Sequence, residues 1–130
     1  MKLKVVSSSQ ELLTTDKVDA VFVTTTDGEI GLLPGHVNLV ATLEVGEMRY
    51  KLNGEFHPVL ISGGIVQFKD DEILILADEA DLPDNLVKEE ISSAIRNAEE
   101  QLSGELEPAE LIQLEKKLRY EKFKERRVLS

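Results

Sequence analysis

The chain is expected to fold as α+β: a β-sandwich of about nine or ten strands over residues 1–82, then an antiparallel two-helix hairpin over residues 83–130. Three observations predict this. Up to Asp81, short apolar runs are broken every few residues by Gly, Asn, Asp or Pro, the pattern of an antiparallel sandwich or flattened barrel. Beyond Asp81 the apolar spacing changes from alternation to steps of three and four. Pro83-Asp84-Asn85 punctuates the change, as a break followed by helix-capping side chains.

Taken in order, Lys2–Ser7 and Glu11–Thr14 make a first strand pair. Lys17–Thr25 puts Val18, Ala20 and Phe22 on one face and Val21 and Val23 on the other, which predicts a central strand covered on both sides. Asp27-Gly28 is a tight turn in which Gly28 suits a type I′ position with positive φ. Glu29–Leu33 follows and stops at Pro34, which fixes φ and lacks a backbone donor. Gly35 lets the chain reverse, His36 is left at the loop tip, and Asn38–Leu43 leads away. Glu47–Leu52 alternates, with Met48, Tyr50 and Leu52 inward. Asn53-Gly54, the strongest hairpin signal, leads into Glu55–Ile61, where Pro58 requires an edge or a bulge. Ile65–Phe68, a Lys69-Asp70-Asp71 turn and Glu72–Ala77 complete the sheet. There is no internal repeat.

In the tail, Val87, Ile91, Ala94, Ile95, Ala98 and Leu102 recur at helical spacing. Ser103-Gly104 is expected to end that helix, with Gly104 as a left-handed cap. Pro108 suits the first turn of a second helix, whose apolar side chains are Leu111, Leu114, Leu118 and Phe123, with Tyr120 nearby. So few apolar groups cannot offset the ordering of the hairpin, which therefore has to dock on the sandwich or on a partner. An element held by a modest interface can exchange between the two.

The composition narrows the function classes. A 42% apolar content supports a core, and the absence of cysteine removes disulfides and thiolate metal sites. No run approaches the ~20 apolar residues that span a bilayer, and Met1–Val6 turns polar too soon for a signal peptide. A net charge of −10 argues against general nucleic-acid binding. Residues 116–127 nevertheless hold seven basic and two acidic side chains, leaving −15 for the rest of the chain.

Candidate chemistry is sparse. His36 and His57 are the only histidines, too few for a converging metal site, and no metal or other cofactor is expected. Asp70-Asp71-Glu72 and Asp78-Glu79-Ala80-Asp81 lie at turns and strand ends, where solvated acids are ordinary, and the chain has no Trp for a sugar platform. Gly63-Gly64 lacks the Gly-Lys-Ser/Thr continuation of a phosphate loop and reads instead as a close approach of two backbones. The basic tip has two readings: a solvated helix end complementing the C-terminal dipole, or a dock for an acidic partner. Physics alone leaves both open. The stretch Gly28–His36 has no parts of a catalytic site and reads as a shaped loop on a β scaffold, the way many docking surfaces are built.

That stretch, Gly28-Glu29-Ile30-Gly31-Leu32-Leu33-Pro34-Gly35-His36, together with Ser62-Gly63-Gly64-Ile65 and Ile75-Leu76-Ala77-Asp78, closely resembles the epsilon subunit of bacterial and chloroplast F-type ATP synthases. The resemblance runs over the whole chain. It implies a non-catalytic rotor-stalk subunit that joins the gamma subunit to the c-ring, couples proton transport to ATP synthesis, and inhibits ATP hydrolysis through its C-terminal helices. It also implies contact with the beta and alpha subunits and attachment to the membrane only through the complex. The location would be the cytoplasmic face of the bacterial plasma membrane, or the stromal face of the thylakoid in a plastid.

Carried over by position, Glu29, Ile30, Leu32, Leu33, Pro34 and His36 would form the loop facing the c-ring and gamma. Lys116, Lys117, Arg119, Lys122, Lys124, Arg126 and Arg127 would be the inhibitory contacts with beta, which favours the docking reading of the basic tip. One departure stands out. Some relatives bind ATP through [IL]-D-x-x-R-A at the start of the first helix, but here Val87, Glu90 and Ile91 replace the aspartate, arginine and alanine. Glu90 would repel a phosphate where arginine would attract it, so no ATP binding is expected. The alternative is a soluble β-sandwich protein-binding module with a helical tail.

Overall fold

The computed structural model describes residues 1–129. The chain divides into two compact units, Met1–Leu82 and Pro83–Ser130. The first contains ten strands: β1 (Lys2–Val6), β2 (Glu11–Thr15), β3 (Ala20–Thr25), β4 (Gly28–Leu32), β5 (Leu39–Leu43), β6 (Gly46–Leu52), β7 (Glu55–Ile61), β8 (Gly64–Lys69), β9 (Glu72–Ala77) and β10 (Ala80–Asp81).

They form one ladder in the order β10-β7-β6-β3-β5-β8-β9-β1-β2, with β4 paired to β3. β1 and β9 run parallel and the other pairs run antiparallel. β3 and β5 are bridged only at Thr25 and Leu43, and at this thin seam the ladder divides into the two layers of a sandwich. Val21, Val23 and Met48 from one layer meet Val5, Phe68 and Ile75 from the other in a single core.

Local chemistry explains most strands. Asn53 and Gly54 have φ of 52° and 80°, as a type I′ turn requires. Pro58 pairs with Arg49 on one side, while β10 reaches only Leu60 and Ile61 on the other, so Pro58 lies on an open edge.

Some expectations change. Lys17 has φ of 61°, which breaks the extended chain, so β3 begins at Ala20 and Val18 turns into the same core as Val21 and Val23. The outer face of β3 is covered by side chains at Phe22, whose ring lies 6.0 Å from that of Phe56 and 5.6 Å from the Arg49 guanidinium. Gly28 has positive φ but Asp27 does not, so the hairpin is the bulged form with glycine after the turn pair rather than type I′. β10, two residues long, was not foreseen.

The second unit has a 3₁₀ turn at Pro83–Asn85 and two helices packed together, α1 (Lys88–Leu102) and α2 (Pro108–Leu129). The 3₁₀ turn takes up the side chains expected to cap α1. Its N-cap is Val87, without a side-chain cap, and Glu89 and Glu90 complement the helix terminus instead. At the other end Gly104 is not left-handed; Ser103 Oγ donates to the Glu100 carbonyl at 2.6 Å and closes the helix. Ile91, Ile95 and Ala98 form the buried face of α1. α2 differs from the expected leucine stripe: Leu111 is exposed, and the buried side chains are Tyr120, Glu121 and Lys124.

Candidate docking surfaces

Leu33–His36 is a type II turn, with Pro34 second, Gly35 third at φ of 82°, and the His36 N–H donating to the Leu33 carbonyl at 3.0 Å. The turn is tied to the β8–β9 hairpin at several points. The Gly35 N–H donates to Asp71 Oδ1 at 2.9 Å, and the Asp70 N–H donates to Asn38 Oδ1 at 3.1 Å. The His36 ring meets the buried Phe68 ring edge-on at 5.5 Å, and its Nδ1 donates to the Val37 carbonyl at 2.7 Å.

This geometry sorts the residues assigned to the loop. Strand alternation turns Ile30 and Leu32 toward the core, where Ile30 is partly buried and Leu32 fully so. Glu29 is exposed and pairs with Arg49 at 3.3 Å. Pro34 is exposed, and His36 is half-buried as a strut. Leu33 is 53% exposed, and Val37, which the sequence reading passed over, is 75% exposed. Its signal was an apolar residue placed after the glycine turn but before the next strand.

A second exposed apolar group crosses one layer. Ile65 on β8 stands opposite Leu76 on β9, with Val40 of β5 diagonal to Ile65, and all three are exposed. Gly64 makes the crossing possible. It has φ of 137°, and a Cβ there would lie 2.1 Å from the Leu76 carbonyl oxygen. The acidic runs serve the same corners: the Glu79 N–H donates to Ser62 Oγ at 2.7 Å, and Ser8 Oγ donates to the Asp78 carbonyl at 2.9 Å.

The basic residues of α2 divide into two sets. Lys116, Arg119, Lys122 and Arg126 are exposed, and the last three, spaced by three and four, make one stripe. Lys117 and Arg127 are half-buried, and Lys124 is buried. Lys117 Nζ and Lys124 Nζ lie 3.1 Å and 3.0 Å from Oε1 of the buried Glu121, and Lys124 also sits 4.9 Å over the Tyr120 ring. Lys124 is buried in this pairing, while the Lys117 side chain pairs with Glu121 and stays 42% exposed.

At the start of α1, Val87 and Glu90 are exposed and Ile91 is 4% exposed, and the first turn carries Lys88, Glu89 and Glu90. The remaining histidine, His57, stacks on Tyr50 at 5.1 Å, and burial pushes the Tyr50 phenol up from 10.0. Among the described residues no three His, Cys, Asp or Glu side chains converge as metal ligands. No helix there is long and apolar enough to cross a membrane. The arrangement presents shaped and charged surfaces.

The model of the "ATP synthase, Delta/Epsilon chain, beta-sandwich domain" family matches residues 1–83. The ATP synthase epsilon chain of Bacillus licheniformis is 34% identical over 115 residues, covering 88% of this chain and 87% of that one. The ATP synthase epsilon chain of Halalkalibacterium halodurans is 44% identical over 85 residues, covering 65% and 64%. Among solved structures, a chain of the OSCP/F1/c-ring assembly of Euglena gracilis mitochondrial ATP synthase matches with a TM-score of 0.69 and 26% identity, covering 92% of this chain and 76% of that chain. A chain of the central stalk and c-ring assembly of Tetrahymena thermophila mitochondrial ATP synthase shares the fold, with a TM-score of 0.56 at 14% identity.

Proposed function

The chain belongs to the family of ATP synthase epsilon chains, and we propose that it serves as a non-catalytic subunit of the rotor's central stalk. In this reading the sandwich joins gamma to the c-ring, so that proton transport is coupled to ATP synthesis, and the helices restrain hydrolysis by contacting beta, with alpha alongside. The subunit is held at the membrane periphery, on the cytoplasmic face in a bacterium, by the complex rather than by a span of its own. The observation that carries the reading is the family match over the whole sandwich, residues 1–83.

The surfaces fit these roles. The exposed apolar group Val40, Ile65 and Leu76 suits a protein partner such as gamma. The firmly tied Leu33–Val37 loop, with Glu29, Pro34 and His36, suits the ring side. The exposed stripe Arg119, Lys122 and Arg126, with Lys116 nearby, suits an acidic segment of beta. The half-buried Lys117 and Arg127 flank it, and the buried Lys124 joins that contact only once α2 leaves the packing described above. Val87, Glu90 and Ile91 disfavour ATP binding at α1, because Glu90 places a carboxylate where a phosphate-binding arginine would stand, and the two carboxylates of the first turn outweigh Lys88.

The test is co-elution of the purified chain with a gamma-containing ATPase head, with hydrolysis assayed on the same fractions. Tight co-elution with reduced hydrolysis is expected, and removal of the residues after Asp81 should relieve the inhibition. Failure to co-elute, with both partners folded, would overturn the stalk assignment and leave a plain binding module. Co-elution with unchanged hydrolysis would remove the inhibitory role alone.

A further inference from the structure

The hairpin between β8 and β9 turns on Asp70 and Asp71, with φ of 52° and 60°. Asp-Gly suits such a turn better than Asp-Asp, because glycine adopts left-handed φ without strain. Asp71 thus carries a carboxylate at a left-handed position, and that carboxylate has a specific contact. It accepts the Gly35 N–H at 2.9 Å from a loop 36 residues away. A reciprocal bond runs from the Asp70 N–H to Asn38 Oδ1 at 3.1 Å. The two bonds hold the turn at its third residue and just past its end, and His36 on Phe68 braces it between them.

We propose that Asp71, assisted by Asn38, is a positioning residue that presets the Leu33–Val37 turn for its contact with the ring. The inference rests on the ring-side reading of that loop. Leu33 and Val37 project outward from a backbone that is already ordered, so docking need not first freeze a glycine-containing loop. Asp71 touches no partner; it acts through the Gly35 amide.

The test uses the full chain in complex with gamma, titrated with detergent-solubilised c-ring. Three variants are compared: Asp71→Gly, Asp71→Asn and Val37→Asp. Asp71→Gly removes the carboxylate while relieving the left-handed backbone, so the hairpin itself keeps its stability. It should weaken ring binding about tenfold, the affinity equivalent of one lost hydrogen bond to a charged acceptor. Affinity for gamma and Tm should stay unchanged, while amide exchange at Gly35 accelerates. Asp71→Asn, whose Oδ1 still accepts the Gly35 N–H, should restore most of the loss. Val37→Asp should weaken ring binding with Gly35 exchange unchanged.

If Val37→Asp weakens binding and Asp71→Gly does not, the positioning role is refuted and the loop reading survives. If neither variant changes ring binding, the loop reading fails and the inference falls with it. A fall in Tm for Asp71→Gly that matches its loss of binding would make Asp71 an ordinary stabilising residue and overturn the proposal.

Discussion

Replacing Gly64 with alanine tests how the apolar layer is closed. The added Cβ would lie 2.1 Å from the Leu76 carbonyl oxygen and 2.9 Å from the Ala77 Cα, both backbone atoms of β9. Neither can swing aside as a side-chain tip could, so β8 and β9 must separate. Forcing an L residue to φ of 137° costs about 1–3 kcal/mol. Overpacking against a fixed neighbour adds about 1–3 kcal/mol. The expected loss is about 2–6 kcal/mol, a large share of the ~5–15 kcal/mol that holds a typical domain together. For a unit of this size the Tm should fall by at least about 10 °C. Gly54→Ala is the control. It also has positive φ, 80°, but its Cβ meets nothing within 4 Å, so only the left-handed cost of about 1–2 kcal/mol applies. Urea unfolding of the full-length variants, followed by far-ultraviolet circular dichroism, separates the two effects. A Gly64→Ala variant no less stable than Gly54→Ala would refute the close-approach argument.

Further outcomes follow from α2 and from Tyr50. Changing Arg119, Lys122 and Arg126 together to Gln should weaken inhibition of hydrolysis most at low salt, since screening already weakens exposed pairs at high salt; equal inhibition at low salt would count against the electrostatic dock. Glu121→Ala removes the carboxylate shared by Lys117 and the buried Lys124, and should destabilise α2 by about 3–5 kcal/mol, seen as faster amide exchange across the helix. Because the folded pKa of Tyr50 lies above 10.0, the phenol is neutral in both states below that pH. As pH rises through the unfolded value toward the folded one, the unfolded chain loses its proton first and stability falls. Denaturation above pH 10.0 should show this loss, and Tyr50→Phe should lessen it.

The strands were legible because their causes are local. Asn53-Gly54, Pro58 and the alternation through Met48 and Tyr50 each act within a few residues. β10 escaped because two residues carry no period, and it exists only because β7 offers an unpaired edge at Leu60 and Ile61. In the loop, the motif located the turn but did not separate supports from contacts. Leu32 is buried through the register of β4 with β3, and Val37 is exposed because the clamp from Asp71 and Asn38 holds the turn outward. These are long-range facts. α2 differs for a related reason: an apolar count favours Leu111, whereas the most buried positions are Tyr120, Glu121 and Lys124, with Lys124 paired to Glu121. The ending of α1 differs because Ser103 closes it with its own hydroxyl.

The parallel pairing of β1 with β9 also sets a schedule for synthesis. Lys2 lies beside Glu72 and Val6 beside Leu76, so β1 leaves the ribosome well before the partner it has to wait for, β9. At ordinary elongation rates that interval is roughly 4–14 s. Until then Leu3 and Val5, both fully buried in the finished protein, lack the backbone partner that β9 supplies and have the hairpin with β2 beside them. The sandwich cannot be completed stepwise from its amino-terminal end; it closes late, when β9 arrives between β8 and β1. Closure of this kind, dominated by distant pairings, makes for slow folding. It also gives the nascent chain a defined window in which a chaperone, or a neighbouring subunit made at the same time, can bind the waiting strands.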